Sequence, residues 1–250
     1  MKLIDRACET VREEMDVLRE VFANTLAPLP VRDLLEIGCG TADMTRRIAD
    51  AWPGANIRAL EVDRIQLERN QTRNRHNNIR YEHGPAEAIP YPDDCFDAVL
   101  MFKSLHHVPT ALLDQALDEI FRVLRPGGIA YFAEPVFTGQ LNDIIRLFHD
   151  EEAVRLAAFE ALKRAGAGNR WEFADELHYL APVRFNDFAD FERKTMRVTH
   201  SNFGLTDELV NTVRRAFEPH LNTHGATFTR PMRVDVLRKA RRIAGLGGRS

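Results

Sequence analysis

The sequence predicts an α/β fold in which a doubly wound, mostly parallel sheet carries helices on both faces. Strand-like and helix-like stretches alternate over residues 31–135, which is typical of parallel sheets. The run FDAVLMF at 96–102 has no polar alternation, so both of its faces should be covered. The run LLEIGCGTAD at 34–43 looks like a first strand entering a glycine turn, where such sheets bind nucleotides.

Residues 1–30 are expected to form an N-terminal helix. Apolar side chains recur at near-helical spacing within residues 9–26. Pro28 and Pro30 should end the helix, because proline cannot continue it.

Residues 31–137 are expected to form the core of the fold. The predicted strands are 33–38, 57–63, 79–84, 96–102 and 129–135. The predicted helices are 41–51, 65–74 and 112–124. Connections of helical length between consecutive strands predict parallel pairing.

The alternation of strands and helices stops after the core, and residues 138–230 are expected to form a largely helical cap over the substrate region. Helices are predicted at 139–165 and 206–218. The aromatic side chains of 171–192 fit either a substrate pocket or the core of the added region. Residues 231–250 are expected to supply an edge strand, from the apolar and polar alternation of 231–239, and a basic tail.

Composition excludes several classes of function. The chain has 250 residues, 44% hydrophobic and 28% charged, with a net charge of -3, which does not favour a nucleic-acid or membrane surface. Its three cysteines are widely spaced, which is typical of a reducing compartment rather than a disulfide framework. With no signal-like apolar segment at the start, a cytoplasmic location is expected. The oligomeric state stays open.

The glycine turn indicates which nucleotide it favours. A dinucleotide turn usually has a third glycine, but Asp43 stands in that position, and Glu36 precedes the turn. Carboxylates repel a pyrophosphate and attract S-adenosylmethionine, which has no phosphate and carries a cationic sulfonium and an ammonium group. Asp63 follows the second strand, where an acidic residue accepts hydrogen bonds from ribose hydroxyls.

The chain resembles the class I S-adenosylmethionine-dependent methyltransferases, in particular the small-molecule enzymes. The resemblance covers about residues 31–135 and is carried by LLEIGCGTAD, ALEVD, GPAEAIPYPDDCFDAVLMFKSLHHV and EIFRVLRPGGIAYFAEP. It implies a Rossmann-like seven-stranded sheet with one antiparallel edge strand and a helical cap insertion.

The resemblance also implies a set of cofactor-binding residues: Glu36, Gly38, Gly40, Asp63, Arg64, Ala86, Glu87, Phe102 and Lys103. One position departs from the family, which often has an aspartate that accepts from the adenine amino group where this chain has Pro85. Either the Glu87 side chain or a backbone carbonyl takes that contact, or the adenine is held more loosely.

Methyl transfer from a sulfonium is an in-line displacement, so the protein must orient the nucleophile, exclude water and sometimes supply a base. The candidates for catalysis are His106, His107 and Glu134, which lie at or just beyond strand ends. A histidine at a helix start and a strand-end carboxylate with a backbone contact are the structural alternatives. Because adjacent residues on a strand or helix diverge, the two histidines are not expected to share a metal, and no metal site is predicted.

Two main hypotheses of function follow. The first is methyl transfer to an O, N, S or C atom of a small-molecule acceptor. The second is an S-adenosylmethionine-binding protein with other chemistry or a sensor role. A NAD-dependent oxidoreductase is disfavoured by Asp43 and the two-glycine turn.

Overall fold

The computed structural model describes residues 10–26, 31–199 and 203–240, apart from the side chains of 173 and 174. The predicted basic tail after residue 240 and the start of the N-terminal segment lie outside these residues. The strands are β1 Asp33–Ile37, β2 Asn56–Glu61, β3 Ile79–His83, β4 Phe96–Phe102, β5 Leu124–Pro135, β6 Trp171–Phe185, β7 Leu221–Asn222 and β8 Gly225–Lys239. The α-helices are α1 Glu14–Thr25, α2 Asp43–Ala51, α3 Arg64–Arg73, α4 Leu113–Val123, α5 Gln140–Ile145, α6 Glu152–Ala167, α7 Phe188–Phe191 and α8 Asp207–Phe217.

The sheet has the order β3-β2-β1-β4-β5-β8-β6, with β7 paired to β8. The strands from β3 to β5 are parallel, and β8 runs antiparallel to both β5 and β6. Strand order reverses between β1 and β4, so a crevice opens at their carboxyl ends. The doubly wound, mostly parallel fold with an antiparallel edge is confirmed.

The identity of the edge strand differs from the prediction. Residues 231–239 belong to β8, which lies between β5 and β6, and the edge is β6. The alternation in this stretch came from Arg233 and Asp235, which form a buried ion pair rather than a solvent-exposed face. Charged residues that neutralise each other inside the sheet therefore imitate the pattern of an exposed strand.

The aromatic stretch after α6 is a strand rather than part of a helical layer. Pairing with β8 extends from Trp171 to Phe185, so residues 138–230 contribute a strand to the sheet as well as helices. The remaining aromatics include Phe188 and Phe191, which pack with Phe217 in a separate buried cluster. Of the two interpretations left open, the core of the added region is the one observed for these rings.

Helices cover both faces of the sheet and leave the carboxyl ends of the parallel strands for the site. Helices α1 and α2 pack on one face, where Val21 and Ile48 are buried, while α4 and α6 pack on the other, where Ile120 and Ala161 are buried. Among the described helices, none has the length and apolar character that crossing a bilayer requires.

Candidate active site

The turn after β1 needs glycine at two positions. Gly38 and Gly40 have φ of 71° and 52°, in the left-handed region that glycine adopts without strain. A Cβ added to Gly38 would lie 2.7 Å from the Cβ of Ser104, so this position also needs glycine for space. The next left-handed residue is Ala42, with φ of 61°, although alanine is strained there.

Glu36, the next-to-last residue of β1, is a buried carboxyl group with an oxygen that lacks a partner. Its side chain is 3% exposed, and Oε2 has no hydrogen-bond partner among the described residues. Burial raises the pKa of Glu36 to about 8, against the smaller opposing effect of Lys103. An unsatisfied acceptor at a strand end in the crevice is typical of a site that receives a cationic donor.

Glu61, which does not stand out in the sequence, is the acidic residue that ends β2 at the glycine turn. Its Oε2 accepts from the backbone N–H of Gly40 at 2.7 Å. Its Oε1 accepts from the N–H groups of Val62 and Asp63, each at 2.9 Å. The signal is present in ALEVD, where both Glu61 and Asp63 stand near the strand end, but only the strand bounds distinguish them.

Asp63 has a different structural role from Glu61. It is the N-cap of α3, where its Oδ1 accepts from the N–H groups of Ile65 at 2.9 Å and Gln66 at 3.3 Å. Its Oδ2 accepts from the hydroxyl of Thr199, far along the chain. The Asp63 carboxylate is thus engaged on both oxygens, and Arg64 beside it is exposed.

In the loop after β3, where adenine contacts are predicted, one backbone carbonyl already has a hydrogen-bond partner within the protein. Ala86 is buried, and the backbone carbonyl of Glu87 accepts from Gln115 Nε2 at 2.9 Å. The carbonyl of Glu87 is therefore committed to α4, whereas the Glu87 side chain is half-buried. Which group meets the adenine amino group, given proline at position 85, stays a prediction.

Phe102 ends β4, as predicted, and Lys103 follows it. Lys103 has φ of 55°, and its backbone N–H donates to the carbonyl of Ala133 at 2.8 Å. Its ammonium group donates to Oε2 of Glu14 on α1 at 2.6 Å. This ion pair ties the N-terminal helix to the end of β4.

His106 and Glu134 form an ion pair beside the glycine turn. Oε1 of Glu134 accepts from the N–H groups of Ser104 at 3.1 Å and Leu105 at 2.9 Å, and its Oε2 pairs with His106 Nδ1. On the other side, His106 Nε2 lies 3.5 Å from Oε1 of Glu151. Burial lowers the pKa of His106, but the carboxylates of Glu134 and Glu151 outweigh it and raise that pKa to about 9.

His107 is exposed next to this pair, and its ring does not diverge from that of His106. The two ring centroids are 4.1 Å apart, because both residues lie in a single 3-10 turn, Leu105–His107. One ligand-type atom from each of His106, His107 and Glu151 lies within 4.8 Å of the others. The expectation that the two side chains point apart is wrong. Glu151 of this group also forms an ion pair with Arg155.

The segment that carries the glycine turn and the ends of β1, β2 and β4 also matches known proteins. A family model described as a methyltransferase domain matches residues 34–128, which contain β1 to β4, α4 and the turns discussed above. Residues 34–128 are thus similar to a methyltransferase domain, in agreement with the resemblance to the class I S-adenosylmethionine-dependent methyltransferases.

Two curated methyltransferases are similar to this part of the chain. Methyltransferase GfsG of Streptomyces halstedii is 34% identical over 115 residues, which are 44% of this chain and 40% of that protein. The fatty-acid O-methyltransferase of Mycolicibacterium smegmatis is 33% identical over 119 residues, 46% of this chain and 42% of that protein. The matches thus span less than half of each of these relatives.

A solved structure extends the likeness to the fold of nearly the whole chain. The YcgJ protein of Bacillus subtilis superposes with a TM-score of 0.60 at 17% identity and covers 92% of this chain and 100% of that protein. At this identity the comparison supports the fold alone.

Proposed function

We propose that the chain binds S-adenosylmethionine at the carboxyl ends of β1, β2 and β4 and transfers its methyl group to a nucleophilic atom of a small-molecule acceptor. The observation that carries this proposal is the pair of acidic side chains, Glu36 and Glu61, at the ends of adjacent strands beside the glycine turn. The cofactor supplies an activated methyl group, so the chain's own residues need to bind, orient and exclude water.

The residues present fit this cofactor. The buried oxygen of Glu36 that lacks a partner is suited to an ammonium group, which would favour the ionised carboxylate. A carboxylate has about four acceptor sites, and the described backbone uses three of those on Glu61, so a ribose hydroxyl has an acceptor there. We therefore propose Glu61 as the ribose carboxylate and Asp63 as the residue that caps α3.

The apolar rim near Glu61 supports an adenine position. Val62 is 56% exposed and Ile65 is 54% exposed, which is unusual for large apolar side chains in the described core domain. An adenine ring stacked between Arg64 and these side chains would cover them. Ala86, buried in the loop after β3, would complete the adenine side of the pocket.

For catalysis, His106 is proposed as a positioning residue rather than a base. An imidazole held between two carboxylates with a pKa near 9 keeps its proton at neutral pH. His107, which is exposed on the same turn, is the imidazole proposed to accept a proton from an acceptor that needs deprotonation. Glu134 is proposed to fix the loop that follows β4.

Residues 138–230 are proposed to cap the site. Two contacts support this role: the hydroxyl of Thr199 donates to Asp63, and Oε1 of Glu151 lies 3.5 Å from His106 Nε2. His149 also pairs with Glu151, the neighbour of His106. The segment thus contacts both the adenosine side and the histidine side of the crevice.

The test is calorimetry with S-adenosylmethionine, S-adenosylhomocysteine and NAD, followed by detection of S-adenosylhomocysteine in reactions with a metabolite panel. Binding of the first two and turnover with one acceptor are expected. NAD binding in the absence of S-adenosylhomocysteine binding would refute the proposal. Cofactor binding with no turnover on any acceptor would favour the sensor hypothesis.

A further inference from the structure

Two arginines from different elements line one small cavity next to the histidine turn. Arg155 comes from α6, and Arg230 comes from β8. Thr138, Asn142 and Thr229 line the same cavity and contribute further polar groups. Two guanidinium groups with hydroxyl and amide groups around one hollow are a typical arrangement for binding an oxyanion.

Neither guanidinium is fully satisfied by the protein. The Arg155 side chain is 10% exposed, and its guanidinium donates to Asn142 Oδ1 at 3.0 Å and to the carboxylate of Glu151. Its Nε is buried and has no partner among the described residues. The Arg230 side chain is half-buried, and within the described ranges 10–26, 31–199 and 203–240 it forms no hydrogen bond or ion pair. A buried donor without an acceptor is costly, so Nε of Arg155 indicates a missing partner.

The surrounding charges leave this cavity positive. Glu151 is already shared by His106, His149 and Arg155. Arg233, on the strand that carries Arg230, is neutralised by Asp235. Burial and the nearby charge of Arg155 lower the pKa of Arg230, which is the direction that two close cations produce.

The cavity shares lining residues with a second cavity that reaches the partner of His106. Arg155 and Val136 also line a second small cavity, together with Glu134, the partner of His106. Glu151 bridges Arg155 on one side and His106 on the other. A ligand held by the two arginines would therefore extend toward the histidine turn.

We propose that Arg155 and Arg230 bind an oxyanion of the methyl acceptor, a carboxylate or a phosphate ester, and so select acidic small molecules. The proposal rests on the proposed function, because it assigns the acceptor side of that site. The planar fork of the Arg230 guanidinium can pair with two oxygens, and Nε of Arg155 adds a further donor, so together they would fix the orientation of the acceptor.

The experiment uses the full chain with benzoate, phenyl phosphate and benzamide as probes that share one ring and differ in charge. Calorimetry is run with and without saturating S-adenosylhomocysteine. The variants are Arg230→Gln, Arg230→Lys and, as a matched control, Arg184→Gln, which removes one exposed charge from β6. Thermal unfolding of each variant verifies that it is folded.

Benzoate or phenyl phosphate is expected to bind, benzamide much more weakly, and Arg230→Gln should weaken anion binding by about tenfold or more. Arg184→Gln should bind like the parent chain, and Arg230→Lys should recover part of the loss. The affinity for S-adenosylhomocysteine should be unchanged in all three variants.

Equal binding of benzamide and the two anions, or unchanged anion affinity in folded Arg230→Gln, would overturn the anion site. Preference for one anion over the other identifies the oxyanion. If S-adenosylhomocysteine fails to bind while the anions still depend on Arg230, the proposed function fails and the anion site remains. If the cofactor binds and the anions do not, the anion site alone is refuted.

Discussion

The backbone N–H of Gly40 donates a 2.7 Å hydrogen bond to Oε2 of Glu61, which joins the glycine turn after β1 to the last residue of β2. This bond couples the two halves of the proposed cofactor site. It is also the reason that we propose Glu61, rather than Asp63, as the ribose carboxylate.

The first prediction separates these two carboxylates. Glu61→Gln should weaken S-adenosylhomocysteine binding by about 1–3 kcal/mol, because a charged acceptor of hydrogen bonds is removed. Asp63→Ala should instead lower the free energy of unfolding by about 1 kcal/mol through loss of the α3 cap. Calorimetry and chemical denaturation measure the two effects. The larger affinity loss in Asp63→Ala would restore Asp63 as the ribose ligand.

The second prediction concerns the proton on Glu36. Its pKa of about 8 means that the free protein carries a protonated carboxyl at neutral pH, while a cationic ligand favours the ionised form. Cofactor binding at pH 7 should therefore release a proton, and affinity should increase with pH until about pH 8. Calorimetry in two buffers with different ionisation enthalpies measures the release. Glu36→Gln should remove it, and a proton count unchanged by that substitution would contradict the assignment.

The third prediction concerns His106 and stability. A histidine whose pKa is raised above 6.5 to about 9 stabilises the fold fully below pH 6.5, and this contribution is lost as the pH rises through about 9. His106→Gln should cost about 3–5 kcal/mol at neutral pH, since it leaves buried carboxylates without their cation. Denaturant unfolding at pH 6 and pH 10 measures the difference. His107→Gln is the neighbouring control and should have little effect, so equal losses would argue against the buried ion pair.

The fourth prediction tests the strained turn. Ala42 has φ of 61° and is fully buried, so Ala42→Val should reduce the free energy of unfolding by more than about 2 kcal/mol. The same change at exposed Ala111, which is not among the left-handed residues, should alter stability only slightly. Thermal unfolding of the two variants gives the comparison, and similar melting temperatures would show that the turn tolerates a β-branched residue.

The parallel half of the sheet is predictable from the sequence because its signals are local. These signals are read from neighbouring residues along the chain: the glycine at position 38, the apolar runs of β1 and β4, and the helical spacing of apolar residues in α4. The antiparallel half depends on long-range pairing. The place of β8 beside β5 follows from contacts such as Ala133 with Val234, which no periodicity specifies.

The residues of the candidate site were likewise predictable where their signal is local and not where it depends on distant residues. Glu36 and the glycines are marked by position, but the choice between Glu61 and Asp63 needed the residue at which β2 ends. Arg155 and Arg230 lie 75 positions apart by their residue numbers and meet only because α6 and β8 fold onto the same end of the sheet. The sequence around a polar residue in a helix or strand does not indicate which distant residue will lie beside it in the fold.

The insertion of β8 between β5 and β6 also orders events during translation. The cofactor half, β1 to β5, leaves the ribosome well before Arg230, whereas β6 emerges with no sheet neighbour until β8 follows it. A nascent chain stopped before residue 225 therefore has every strand of the proposed cofactor site, but one edge of β5 and the β6 edge that pairs with β8 are still open to chaperones.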